Sequence, residues 1–163
     1  MKKTLVVFHS YTGNTKMVAN EISKQTGADI FELEPVKPFS DDYQTVVDEY
    51  QNNSIKEEVE INPITVNINN YENIVVCSPV WWYTITPVIS TFLKQSNLKN
   101  KNIYAVATNA GWIGHTFEDI KKLCPKSNVK SSINLVFDED FSKHKLKLGK
   151  KELDDLISSL RND

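Results

Sequence analysis

Cysteine is scarce in this chain. Cys77 and Cys124 are the only two in 163 residues, and neither belongs to a Cys-x-x-Cys pair. That pattern supports neither a disulfide framework nor a metal cluster, and both thiols read as small buried hydrophobes. No spacing of cysteine and histidine matches a zinc site, so no metal is expected. No apolar stretch approaches the roughly 20 residues of a membrane span. The basic start Met1-Lys2-Lys3 leads into an apolar run too short for a signal-peptide core, with no small-residue cleavage site. A cytoplasmic location without membrane contact is the expectation. An excess of one charge is also lacking. Nineteen Lys and Arg stand against 21 Asp and Glu, a net charge of −2. A general nucleic-acid surface would need a basic excess.

Short β-type runs alternate with helical segments. The runs are Thr4–Phe8, Ile30–Leu33, Asn73–Ser78, Ile103–Thr108 and Ile133–Phe137. Residues 14–26, 41–52, 86–95, 116–123 and 150–160 read as helices. Leu5–Phe8, Ile74–Cys77 and Ile103–Ala107 are almost continuously apolar, as in strands covered on both faces. This alternation predicts a parallel sheet with helices on both sides, a single α/β domain over residues 1–163. In the last helix Leu153, Leu156, Ile157 and Leu160 share one face. Residues 54–70 are polar, contain Pro63, and predict an edge strand or a long loop.

The most informative stretch is Ser10-Tyr11-Thr12-Gly13-Asn14-Thr15, between the first strand and the first helix. The first N–H groups of a helix lack internal partners, and the macrodipole adds positive character there. Hydroxyls and a glycine beside such an end suit an anion. Without lysine, arginine or the Walker spacing, the loop fits a phosphate monoester better than a nucleoside triphosphate.

Two later loops fall at the same sheet edge, beyond strand C-termini, where doubly wound sheets bind ligands. One holds Pro79, Val80, Trp81, Trp82, Tyr83 and Thr84. Periodicity cannot bury its three adjacent aromatics on one face. One tryptophan is expected to pack under the helix that follows, and the rest offer a platform for a planar ligand. The other loop holds Asn109, Ala110, Gly111 and Trp112, small residues beside another aromatic. A phosphate site, an aromatic wall and a small-residue loop describe a pocket for a flat heterocycle bearing one phosphate. Flavin mononucleotide (FMN) is the natural candidate.

With these residues in place the chain resembles the flavodoxins over essentially its whole length. Ser10-x-Thr12-Gly13-Asn14-Thr15 resembles their phosphate loop, and Pro79-x-Trp81-Trp82 and Thr108-x-x-Gly111 resemble flavin-contacting loops of a flavodoxin-like subgroup. The resemblance implies a three-layer sandwich around a five-stranded parallel sheet of order 2-1-3-4-5. It implies that Ser10, Thr12, Asn14 and Thr15, with Gly13, hold the phosphate. Trp81 or Trp82 lines the ring, the backbone of residues 109–111 meets its pyrimidine edge, and Trp112 lies near it. The implied function is electron transfer between a reductase and an acceptor protein, by a monomer.

Two features depart from the family. A glycine often follows the ring-contacting tryptophan, whereas Tyr83 follows Trp82 here. A side chain resists positive φ by about 1–2 kcal/mol, so weak stabilisation of the one-electron-reduced flavin is expected. The chain is also near neutral, where steering onto basic partners favours acidic carriers. Asp138, Glu139 and Asp140 read as a solvated charge run. The competing function is an FMN-dependent NAD(P)H:quinone-type reductase, with His115 as a candidate proton donor that more often marks a helix start. No Gly-x-Gly-x-x-Gly segment is present for a nicotinamide nucleotide, which favours the carrier.

Overall fold

The computed structural model describes residues 3–53 and 58–163. Its strands are β1 (Thr4–Phe8), β2 (Asp29–Glu32), β3 (Asn73–Trp81), β4 (Thr84–Ile85), β5 (Asn102–Asn109), β6 (Asn128–Phe137) and β7 (Leu146–Leu148). The helices are α1 (Asn14–Thr26), α2 (Tyr43–Asn53), α3 (Pro87–Gln95), α4 (Thr116–Leu123) and α5 (Lys150–Arg161). The sheet order is β2-β1-β3-β5-β6-β7, with β4 paired to β3. Its five parallel strands, β2-β1-β3-β5-β6, follow the expected 2-1-3-4-5 order. Two short antiparallel strands extend that plan: β4 on β3, and β7 on β6.

Alternation along the central strands splits the interior into two cores. Leu5, Val7, Ile74, Val76, Ile103 and Ala105 face one side, with Val88, Ile89 and Phe92 of α3 and Ile120 of α4. Val6, Phe8, Val75, Cys77, Tyr104 and Val106 face the other, with Val18 and Ile22 of α1 and Leu153, Leu156, Ile157 and Leu160 of α5. That is the three-layer sandwich. Both cysteines are buried, and burial pushes the Cys77 thiol well above its ordinary range.

Several boundaries move for local reasons. Helix α2 starts after Asp42, whose carboxylate accepts the Thr45 N–H at 3.1 Å, as an N-cap does. Strand β6 extends back to Asn128 through pairing with β5; its first half is exposed or half-buried, with Val129 its one apolar residue. Of residues 54–70, 54–57 lie outside the described residues. The remainder is loop, joined by a single antiparallel bridge between Pro35 and Ile61 and a 3-10 turn at Ile68–Asn70. Val59, Ile61, Ile64, Val66 and Ile68 pin it against the first core. No helix among the described residues is long and apolar enough to cross a membrane.

Candidate functional site

The carboxyl ends of β1, β3 and β5 bring the three loops together. After β1, Gly13 precedes α1 with φ 103, a left-handed conformation that disfavours side chains. It provides no side-chain cap. Ser10 Oγ accepts the Lys16 N–H at 3.2 Å, while the N–H groups of Asn14 and Thr15 have no acceptor among the described residues. They are donors left for an external anion. Thr12 is exposed, and Thr15 is buried with Oγ1 2.7 Å from Thr108 Oγ1 at the end of β5. The phosphate-type loop is thereby tied to the third loop.

After β3 the chain forms a two-residue hairpin. Val80 pairs with Ile85 and Trp81 with Thr84. Its tip is Trp82 (φ 47) and Tyr83 (φ 69), both left-handed. Consecutive positive φ values mark the hairpin turns that match strand twist and usually carry asparagine and glycine. This corrects the expectation that Tyr83 resists positive φ. The turn is clamped from outside. The Tyr83 carbonyl accepts the His115 N–H at 2.8 Å. Gly114 lies so close that a Cβ there would stand 2.2 Å from that oxygen. Thr84 Oγ1 and His115 Nδ1 each lie 2.5 Å from Asp119 Oδ2. His115 therefore braces the hairpin from the start of α4 and lines neither cavity described below.

The three aromatics separate. Trp81 turns inward and is half-buried. It sits among Phe39, Tyr50, His9 and Tyr11, with ring centroids 4.9–5.7 Å away. Trp82 is 36% exposed, with Nε1 donating to the Val47 carbonyl at 3.3 Å, and Tyr83 is 52% exposed. In the third loop Asn109 Oδ1 accepts the Gly111 N–H at 2.9 Å, and Trp112 is 68% exposed.

Two adjoining cavities follow this edge. One of about 260 Å³ lies among Tyr11, Val80, Trp81, Trp82, Tyr83, Trp112 and the α2 residues Tyr43, Val46, Val47 and Tyr50. The other, about 50 Å³, is lined by Thr12, Asn14, Pro79, Thr108, Asn109 and Phe141 together with Tyr11, Tyr43, Val80 and Trp81. The shared residues join an aromatic chamber to a polar end at the phosphate-type loop. Of the expected site residues, Thr12, Asn14, Pro79, Val80, Trp81, Trp82, Tyr83, Asn109 and Trp112 line this groove. Ser10, Gly13, Thr15, Thr84, Ala110 and Gly111 support it or lie beside it.

Sequence reading missed the α2 wall, although Tyr43, Val46, Val47 and Tyr50 have the i, i+3, i+4, i+7 spacing of one helix face. It also missed His9, buried one residue before the loop, with Nδ1 2.8 Å from Thr86 Oγ1. Burial lowers the His9 pKa to about 4, so the ring is neutral at neutral pH. Phe141 and His144 arrive from after β6 with no local signal at all. Among the described residues no group of three His, Cys, Asp or Glu could hold a metal ion.

The fold has close counterparts. A putative flavoprotein from Bacteroides eggerthii is 24% identical with a TM-score of 0.77, covering 98% of both chains. A flavoprotein from Lactobacillus acidophilus, solved in complex with FMN, is 25% identical with a TM-score of 0.68, covering 82% of this chain and 93% of its own. A WrbA-like flavodoxin protein from Agrobacterium tumefaciens is 12% identical with a TM-score of 0.62, covering 99% of this chain and 94% of its own. No curated protein matches the chain. The flavodoxin family model matches residues 3–149, and with the parallel sheet and the loop–helix junction at Gly13 this means that the chain belongs to the flavodoxin family.

Proposed function

We propose that this protein binds one FMN noncovalently and carries electrons between redox partner proteins. The observation that carries the reading is the pair of adjoining cavities, which share Tyr11, Tyr43, Val80 and Trp81 as lining. An aromatic chamber of about 260 Å³ adjoins a polar end beside helix N–H groups that have no acceptor among the described residues. The residues fit the group. Asn14 and Thr15 N–H, with the Thr12 hydroxyl, would hold the phosphate. Trp81, Trp82 and Trp112 would border the ring. Bound FMN supplies the electron chemistry, and the protein binds it, orients it and shields it from water. The partners would be a reductase and an acceptor protein, met by a monomer in the cytoplasm.

One observation favours a second reading, direct NAD(P)H-dependent reduction of small molecules such as quinones. Trp82, Tyr83 and Trp112 leave exposed aromatic surface around the chamber, where a second planar molecule could stack. The absence of a Gly-x-Gly-x-x-Gly segment favours the carrier.

Titration of apo-protein with FMN, followed by flavin fluorescence, tests the reading. Quenching at one equivalent supports it, and no quenching removes it. Thr12→Ala should weaken FMN more than riboflavin. Slow NAD(P)H oxidation with a quinone, beside fast reduction by a flavoprotein reductase, identifies the carrier.

A further inference from the structure

The phosphate-type loop contains no lysine or arginine, yet a side chain able to carry positive charge reaches it from the far end of the sequence. After β6 the chain turns through Phe141–Lys143, passes His144 in a left-handed conformation (φ 47) and returns as β7. The acids build this turn. Asp138 Oδ1 accepts the Asp140 N–H at 2.9 Å. Asp140 Oδ1 accepts the Ser142 N–H at 3.2 Å and its hydroxyl at 2.6 Å. Asp138 and Asp140 are thus the frame that presents His144, more than a solvated charge run.

His144 Nδ1 lies 2.7 Å from Asn14 Oδ1, across 130 residues of sequence. Its ring edge covers Gly13, where a Cβ would stand 3.2 Å from His144 Cε1. With Nδ1–H donating to Asn14, Nε2 is the remaining polar atom of the ring. It has no hydrogen-bond partner among the described residues.

We propose that His144 binds the FMN phosphate as an imidazolium, with Nδ1–H held by Asn14 and Nε2–H donating to a phosphate oxygen. This rests on the FMN reading above. A neutral ring with its Nδ1–H on Asn14 carries only a lone pair at Nε2, so donation from Nε2 to the phosphate requires a proton there, taken from solvent. Charged groups stand on the elements around the ring. On its own excursion these are Asp138, Glu139, Asp140, Lys143, Lys145 and Lys147, with Lys147 Nζ 3.9 Å from Asp138. Helix α1 brings Lys16, whose Nζ lies 3.4 Å from Glu32. Tyr43 of α2 packs on Phe141 with ring centroids 5.8 Å apart. No carboxylate among the described residues is hydrogen-bonded to the His144 ring.

The test is calorimetric titration of apo-protein with FMN and with riboflavin, in two buffers of different ionisation enthalpy. At about pH 7.5 a phosphate monoester is largely dianionic and brings little proton of its own. Wild type should take up protons with FMN and none with riboflavin. His144→Asn, which tolerates the left-handed backbone, should abolish the uptake. It should weaken FMN by at least about 10-fold while leaving riboflavin unchanged. His144→Gln should behave alike. Equal weakening of both flavins, or unchanged FMN affinity, would overturn the proposal. So would a lack of FMN-specific proton uptake in wild type, which needs no variant to fold. Wild type that binds neither flavin would instead remove the FMN reading beneath it.

Discussion

Thr15 and Thr108 join their hydroxyls at 2.7 Å in a buried contact between the start of α1 and the end of β5. This bond holds the phosphate-type loop against the third loop, so a local change at either threonine should reach both. Thr108→Val should cost about 1–3 kcal/mol, because the surviving Thr15 hydroxyl is left buried and unpaired. Adding Thr15→Val should recover part of that loss. A double-mutant cycle by urea unfolding measures the coupling. Strictly additive losses would show that the two hydroxyls act independently.

Gly114 meets Tyr83 more closely than any side chain allows. A Cβ would stand 2.2 Å from the Tyr83 carbonyl oxygen and 2.4 Å from Tyr83 Cβ, and φ is 55. Gly114→Ala should therefore destabilise the fold by at least about 2 kcal/mol and loosen the β3–β4 hairpin. Thermal unfolding and Trp82 fluorescence report the two effects. Gly27→Ala serves as a comparison, since nothing lies within 4 Å there although φ is also positive.

His9 should make the fold acid-sensitive. Its pKa falls from 6.5 to about 4 on burial. Between these values the unfolded chain binds the proton and the folded chain does not. Stability is therefore undiminished above about pH 6.5, declines as pH falls, and carries the full penalty below about pH 4. The shift corresponds to about 3 kcal/mol. Comparing urea midpoints at pH 7 and pH 4.5 for wild type and His9→Asn isolates this contribution. The variant should show the shallower pH dependence even if its stability at pH 7 is lower.

Tyr83→Gly should leave the separation between the two one-electron flavin potentials nearly unchanged. The backbone at Tyr83 is already left-handed and its carbonyl is held by the His115 N–H. Glycine removes a Cβ cost of about 1–2 kcal/mol but adds unfolded-state entropy, so net stability should change by less than about 1 kcal/mol. Anaerobic potentiometric titration is the check. A separation widened by several tens of millivolts would show that the side chain, and not the clamp, governs this turn.

How far each part of the site can be read follows from how local its cause is. The strand–loop–helix at Ser10–Thr15 is legible because a hydroxyl-rich turn with Gly13 before α1 needs only neighbouring residues. The α2 wall was present as a 43, 46, 47, 50 stripe, but a helix face shows no sign of whether it covers a core or a groove. Tyr83 misled because local backbone cost argues against positive φ, while His115 and Gly114, more than 30 residues later, hold the turn.

The strand order came from the resemblance to the flavodoxins; by itself the sequence determined the α/β class, the parallel strands and the three loops of the groove. These follow from short-range apolar periodicity and from turn chemistry, which act within a few residues. Only the tertiary structure decided that Trp81 turns inward while Trp82 stays half-exposed, that His9 is buried neutral, and that His144 closes on Asn14. Those outcomes depend on contacts across up to 130 residues, where burial and hydrogen bonding override local preference.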